Sequence, residues 1–248
     1  MESIDNIHTL NGALRKRARA EEVYQKIKNM IYYHQLVPGQ KLVYQDLAKK
    51  LNISITPVIQ ALNRLEHSNI VRYEPNKGYS VGEITEIETK EVYDAREALD
   101  VHIAPLVVKN LNLEKKDSIK SIRKAFQDHI NANTPEYRRL CILKDAQFHL
   151  EIAKYAHNDF IYGLLSEIFE RIFLRWRPQY LTDERVKEVI KEHRAILNAL
   201  GKGDVDGYID LIKKHIRGGL AYIIASLRSE QFVISEQLNT FTGPPKVR

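Results

Sequence analysis

The sequence has few of the features that place a protein outside the cell or in a membrane. Its single cysteine, Cys141, cannot form a disulfide within the chain, which fits a reducing compartment. No stretch approaches the roughly 20 apolar residues of a membrane helix. The first residues lack the basic and apolar regions of a secretion signal. We therefore expect a cytoplasmic protein with no membrane partner.

Motifs of several enzyme classes are also missing. The chain has no HExxH pattern, no glycine-rich phosphate loop and no nucleophile elbow. These absences argue against zinc proteases, nucleotide-binding enzymes and serine hydrolases of the common folds. With 248 residues, of which 44% are hydrophobic, the chain is long enough for two ordinary globular domains.

Positive charge is concentrated in the first third of the chain. Residues 1–82 contain 12 Lys and Arg against 7 Asp and Glu, a net charge of +5, whereas the other 166 residues have 26 against 25. Such an excess suits binding to phosphates. Part of it comes from the basic run at 15–19, which a solvated tail would explain equally well.

Hydrophobic spacing divides the chain into two predicted domains. Residues 1–19 lack periodicity and are expected to form a flexible arm. Residues 20–82 contain three amphipathic helices and then two strand-like runs around a turn at 75–78. Residues 86–230 contain helical patterns with almost no β signal, and 231–248 are expected to form a C-terminal tail. The helical segments are predicted at 86–110, 115–132, 136–156, 159–177, 183–201 and 205–230.

This pattern predicts a mainly α protein. Three helices plus a β-hairpin form a winged helix-turn-helix, and the six later segments form an antiparallel six-helix bundle. In a winged helix-turn-helix, the second helix of the motif enters the major groove of DNA and the hairpin touches the backbone. The alternative is a small helical bundle with a hairpin and no DNA partner.

The residues of the first domain favour DNA binding, because they resemble the DNA-binding domain of the GntR family of regulators. The resemblance is continuous over about 60 residues and includes the helix-turn-helix turn, the start of the recognition helix and the wing. The matching segments are PGQKL at 38–42, DLAKKLNIS at 46–54, TPV at 56–58, AL at 61–62, RLE at 64–66 and KGY at 77–79.

The sequence departs from the family where its members usually carry charged residues. Ile55 and Ile59 stand where arginines are usual, and Gln45 stands where many members have Arg or Glu. Arginines at such places typically contact guanine, whereas Gln60 can pair with adenine. This protein therefore reads an unusual operator or binds DNA weakly. The candidate DNA contacts are Gln45, Thr56, Gln60, Arg64, Lys77 and Gly78.

Histidines interrupt the apolar faces of the predicted C-terminal helices. His193 lies in the stripe that contains Val186 and Ile196, and His215 lies in the stripe that contains Ile212. A single histidine on an apolar face is usually a core residue with hydrogen-bonded ring nitrogens. The remaining histidines, His8, His34, His67, His102, His129 and His157, show no partner pattern and are interpreted as ordinary.

Together, the inward-facing polar residues predict a metal site. Asp145 and His149 lie four residues apart on one helical face, and His193 and His215 point into the same bundle. Buried imidazoles each need a partner, and a metal ion satisfies several at once. One carboxylate and three imidazoles suit a divalent ion, with zinc expected first and nickel or another first-row ion as alternatives.

The same residues resemble the metal-binding pattern of the FCD ligand-sensing domain, the usual partner of this winged helix in the FadR-type branch, and six helices resemble its six-helix group. The resemblance implies that Asp145, His149, His193 and His215 bind the metal and that a small organic acid binds nearby. Arg96, which lies on an inward stripe, is the expected carboxylate-binding residue. Its alternative partner is Asp100, four residues later, where the family usually has Glu.

We therefore expect a ligand-responsive regulator that binds double-stranded operator DNA as a homodimer, because one winged helix reads only one half-site. Two alternatives remain. A metal-dependent hydrolase would use an open zinc position to activate water. A regulator without sequence-specific DNA binding would explain Ile55 and Ile59. A footprint on the protein's own upstream region separates the latter from a DNA-binding regulator.

The wing generates a testable prediction. Replacing Lys77 with Ala should weaken DNA binding and reduce the slope of log affinity against log salt by about one unit, because one phosphate contact is lost. Fluorescence anisotropy at several salt concentrations measures this slope. A slope equal to that of the wild-type protein would remove Lys77 from the set of DNA contacts.

Overall fold

A computed structural model of the chain describes residues 19–33, 35–114, 118–132, 138–176 and 181–241. The chain divides into two compact units. The first comprises the residues up to Glu83 together with 171–177, and the second comprises the rest. The predicted flexible arm at 1–19 lies outside the described residues except for Arg19, which is helical. No helix in the described ranges is both long and apolar enough to cross a membrane.

The first unit is a winged helix-turn-helix, as predicted. Its elements in chain order are α1 (19–32), β1 (Lys41–Leu42), α2 (Tyr44–Leu51), α3 (Ile55–His67), β2 (Val71–Glu74) and β3 (Gly78–Val81). The sheet has the order β1-β3-β2 and is antiparallel, with Val71 opposite Val81. Strand β1 was not predicted, because two residues are too few to show an alternating pattern.

Two left-handed residues shape the DNA-binding elements. Asn52, with φ of 53°, ends α2 and opens the turn into α3. Gly78, with φ of +84°, ends the wing turn, and this conformation is easy for glycine because it has no Cβ. The apolar faces of α1 and α3 form the core of the unit through fully buried residues such as Ile27, Ile31 and Leu62.

The second unit contains the six predicted helices. They are α4 (Glu86–Leu113), α5 (Ser118–Asn131), α6 (Arg138–Lys154), α7 (Asp159–Arg175), α8 (Asp183–Lys202) and α9 (Val205–Phe241). Most ends lie within a few residues of the predicted ones. Helix α9 is the exception, because it continues beyond the predicted end at 230 to Phe241. The last turn of α7 is grouped with the first unit, where Phe173 packs on Tyr32 with ring centroids 4.6 Å apart.

Local sequence signals fix where the helices of the second unit begin and end. The Thr85 side chain accepts a hydrogen bond from the backbone N–H of Glu88 at the start of α4, and Thr182 accepts one from Arg185 at the start of α8. Gly203, with φ of 70°, ends α8 in a left-handed conformation. The buried apolar faces of α8 and α9, with Ile196 on one and Ile212 on the other, turn His193 and His215 inward.

Candidate metal centre

Three helices of the second unit bring the four predicted metal ligands together. Helix α6 supplies Asp145 and His149, α8 supplies His193, and α9 supplies His215. One ligand atom from each residue lies within 4.8 Å of the others. The three histidines are buried, with His193 at 0% exposure, whereas the Asp145 side chain retains 26% exposure. Among the four residues, Asp145 is therefore the most accessible.

The distances within the cluster fit a metal ion better than hydrogen bonds. His149 Nε2 lies 3.1 Å from Nε2 of both His193 and His215, and Asp145 Oδ1 lies 3.4 Å from His193 Nε2. An imidazole nitrogen has either one hydrogen or one lone pair, so it cannot hydrogen-bond to two others. In a tetrahedral site, Zn–N bonds of about 2.0–2.1 Å place neighbouring nitrogens about 3.3 Å apart, close to the distances in the cluster. The donor set and its spacing therefore fit a divalent ion.

The electrostatics of the cluster favour the neutral form of His149 and His193. Burial lowers the pKa of His149 and of His193 well below the usual value, and the charge of Arg96 lowers both further. A neutral imidazole has a free lone pair, which is the form that binds a metal.

A carboxylate contacts the ring nitrogen of His215 that faces away from the cluster. Glu192 Oε2 lies 2.7 Å from Nδ1 of His215, and Arg185 donates to Glu192 Oε1 at 2.9 Å. Burial would raise the pKa of Glu192, but the hydrogen bonds from His215 and Arg185 outweigh it and lower the pKa below the usual value. Ionised Glu192 orients the His215 ring so that Nε2 faces the cluster.

A fourth buried histidine and the single cysteine extend the cluster on its other side. His129 Nδ1 lies 3.2 Å from His193 Nδ1, and Cys141 Sγ lies 3.4 Å from His129 Nε2. Burial lowers the pKa of His129 and raises that of Cys141 to about 12, so the thiol stays protonated at neutral pH. Cys141 is thus a buried polar neighbour rather than a nucleophile.

Arg96 lies inside the second unit, on the inward face of α4. Its Nε lies 3.3 Å from Asp100 Oδ2, so the structure contains the same-helix pair that was the alternative to ligand binding. However, Nη2 of Arg96 is buried and has no hydrogen-bond partner among the described residues. The guanidinium lies 4.5 Å from the centroid of Phe169, whose ring stacks on His149 at 5.6 Å. Arg96 and the cluster residue His149 therefore both contact the Phe169 ring.

The candidate DNA contacts are at least partly exposed on the surface of the first unit. Gln45, Thr56, Gln60 and Lys77 are exposed, and Gly78 is partly exposed at the wing. Lys77 pairs with Glu74 at 2.6 Å, but its side chain keeps 79% exposure.

Arg64, another candidate DNA contact, is occupied within the first unit. It donates to Glu21 at 2.6 Å and lies over the ring of Tyr24. A DNA contact by Arg64 would have to replace these interactions, just as one by Lys77 would have to replace its ion pair with Glu74.

Comparison with known proteins identifies both units. Residues 19–81 match the bacterial regulatory proteins of the gntR family, and residues 91–218, more than half of the chain, match the FCD domain. The chain belongs to the GntR family. It is a transcriptional regulator with a DNA-binding GntR domain and an FCD domain.

Several relatives of this GntR regulator share most of its length. McbR, an HTH-type transcriptional regulator of Escherichia coli, is 24% identical over 202 residues, which cover 79% of this chain and 88% of McbR. YdhC, an HTH-type transcriptional regulator of Bacillus subtilis, is 23% identical over 181 residues, covering 73% of this chain and 80% of YdhC. The solved structure of E. coli McbR/YncC superposes with a TM-score of 0.68 at 20% identity, covering 84% of this chain and 98% of that one.

Sequence reasoning missed two neighbours of the candidate metal centre in this GntR regulator. The sequence alone did not reveal that Glu192, on α8, contacts His215 on α9. His129 was grouped with the ordinary histidines. Its spacing from the buried Ile122 and Phe126 on α5 indicated an inward position, but only tertiary structure reveals its contact with His193.

The Glu192 contact generates a prediction. Replacing Glu192 with Gln should weaken metal binding by about 10- to 100-fold, because the neutral amide orients His215 less strongly. Competition with a chromophoric chelator measures the affinity. Glu188→Gln is a matched control, since Glu188 also pairs with Arg185, at 3.2 Å, but is not among the ligands or their hydrogen-bond partners. Equal affinities for the two variants would contradict the role of Glu192.

Proposed function

We propose that this GntR regulator binds operator DNA as a homodimer in the cytoplasm, and that a small organic acid bound beside a divalent metal ion in the FCD domain modulates that binding. The observation that carries the proposal is the convergence of three buried imidazole Nε2 atoms and the Asp145 carboxylate. A metal ion can bind the lone pairs of all four ligand atoms at once.

The ligand set supports zinc first. Three nitrogens and one oxygen suit zinc, and they also suit nickel and other first-row ions. Asp145, His149, His193 and His215 would hold the ion. When bound, the ion would supply a positive charge and coordination positions to an anionic ligand.

Arg96 supports a carboxylate as that ligand. A guanidinium forms two parallel hydrogen bonds with a carboxylate, and Nη2 of Arg96 is a buried donor without a partner in the described part of the chain. Asp100 engages Nε of Arg96 at 3.3 Å, which leaves Nη2 for an incoming carboxylate.

The DNA-binding part of the proposal depends on the surface of the first unit. Gln45, Thr56 and Gln60 are exposed on α2 and α3, and Lys77 is exposed at the wing. Ile55 is also exposed, at 42%, where a charged residue would be expected to face DNA. The proposed operator is therefore read mainly by amide and hydroxyl groups. Two protomers are needed to read two half-sites.

The hydrolase alternative receives little support from the geometry. Glu192 is the acidic residue next to His193, but it is engaged by His215 and by Arg185. A general base must be free to take a proton from water. The site is accordingly better suited to holding a ligand than to activating water.

The metal site is tested by removing one ligand. His193→Ala should abolish the bound ion in native mass spectrometry and lower the melting temperature, because the ion links α6, α8 and α9. His102→Ala replaces an exposed histidine on α4 and is the matched control. Equal metal content in wild type and both variants would contradict the assignment of His193 as a ligand.

The effector site is tested with Arg96→Lys, which keeps the charge but loses the planar fork. Citrate, malate and lactate serve as probes, and the rise in melting temperature of the metal-loaded protein gives their affinity. We expect the affinity of any stabilising acid to fall by about tenfold or more in the variant, with the metal content unchanged. An unaltered affinity would remove Arg96 from the effector site.

A further inference from the structure

His193 is in contact with other side chains through both of its ring nitrogens. Its Nε2 faces the ligand cluster, 3.1 Å from His149 Nε2, and its Nδ1 lies 3.2 Å from His129 Nδ1. His129 is 1% exposed and comes from α5, a helix that supplies none of the four ligands. The back of the His193 ring is therefore held by an element outside the ligand set.

The direction of these hydrogen bonds follows from the chemistry of a metal-bound imidazole. A neutral ring that uses the lone pair of Nε2 for an ion has its hydrogen on Nδ1. His193 must then donate from Nδ1, and His129 must accept at its Nδ1. His129 consequently has its own hydrogen on Nε2, which lies 3.4 Å from Cys141 Sγ, a weak acceptor. Each buried nitrogen in this series has one partner.

We infer that His129 is a positioning residue of the metal centre: it accepts the hydrogen bond from His193 and so keeps His193 Nε2 directed at the ion. Cys141 fixes the tautomer of His129 in turn. The opposite tautomer of His129 would place two N–H groups against each other in a buried site, which is costly. This inference rests on the proposed metal site.

The two supported histidines have partners of different charge. His215 is held by the Glu192 carboxylate, whereas His193 is held by neutral His129. The charge of Glu192 is also offset by its ion pair with Arg185. A neutral acceptor such as His129 orients His193 without adding a further negative charge beside a site proposed to take an anionic ligand.

A pair of nearly isosteric variants tests the inference. Asparagine and leucine have the same branched shape, but only asparagine has an acceptor oxygen at the place of His129 Nδ1. We expect His129→Asn to bind Co²⁺ within about threefold of the wild-type affinity, and His129→Leu to bind it about 10- to 100-fold more weakly. The full-length protein is stripped with a chelator and titrated with Co²⁺, with the visible absorption of the bound ion as the readout.

The outcomes separate the two levels of the proposal. A wild-type protein that binds no Co²⁺ contradicts the metal site itself. A wild-type protein that binds Co²⁺, together with equal affinities of the Leu and Asn variants, overturns the role of His129. If His129 only filled space, the Leu variant would bind Co²⁺ at least as tightly as the Asn variant, because an apolar side chain suits a buried position. The inference predicts the opposite order, with tighter binding by the Asn variant.

A measurement on the wild-type protein covers the case in which His129→Leu does not fold. Long-range ¹H–¹⁵N correlation spectra of the zinc-loaded protein report the tautomer of each histidine. We expect the hydrogen of His129 on Nε2. A hydrogen on Nδ1 would overturn the inference, because His129 would then have no lone pair facing His193.

Discussion

The second domain of this GntR regulator is organised around imidazole nitrogens that are too close together to satisfy one another. Nε2 of His149 lies 3.1 Å from Nε2 of both His193 and His215, and all three side chains are buried. Neutral nitrogens in this arrangement leave lone pairs facing each other unless an ion accepts them. The ligands come from α6, α8 and α9, so an ion at this point would fix the relative positions of three of the six helices in the domain.

The surroundings of the cluster are arranged in support of that constraint. Glu192 and His129 hold two of the rings by their outer nitrogens. Phe148 stacks on His193 with centroids 4.4 Å apart, and Phe169 stacks on His149. The Asp145 side chain is partly exposed, and Nη2 of Arg96 has no hydrogen-bond partner among the described residues. These features fit the proposed site for an anion beside a metal ion.

The sequence predicted what depends on local periodicity and short motifs. The spacing of His193 and His215 within apolar stripes was enough to turn both residues inward, and Asp145 and His149 followed from their separation of one helical turn. Contacts between helices distant in sequence were out of reach, so Glu192 and His129 were not recognised. Strand β1 was too short to detect, and the end of α9 was placed at 230 although Gly243 and Pro244 follow the observed end at Phe241 in the sequence.

The DNA-binding domain shows the same division. Its architecture followed from helix lengths, the turn at Asn52 and the wing, and the structure confirms it. The engagement of Arg64 by Glu21 and Tyr24 was not foreseen, because it depends on how α1 packs against α3. Ile55 stays exposed at the start of the recognition helix, so the departure from the family pattern is at the surface rather than in the core.

X-ray absorption at the zinc K-edge tests the central claim most directly, because it reports the ligands of the ion itself. The protein loaded with one equivalent of zinc should show nitrogen and oxygen neighbours at about 2.0–2.1 Å, with outer scattering from three imidazole rings and no sulfur. A sulfur neighbour at about 2.3 Å, or scattering from fewer than two imidazoles, would contradict a centre formed by Asp145, His149, His193 and His215.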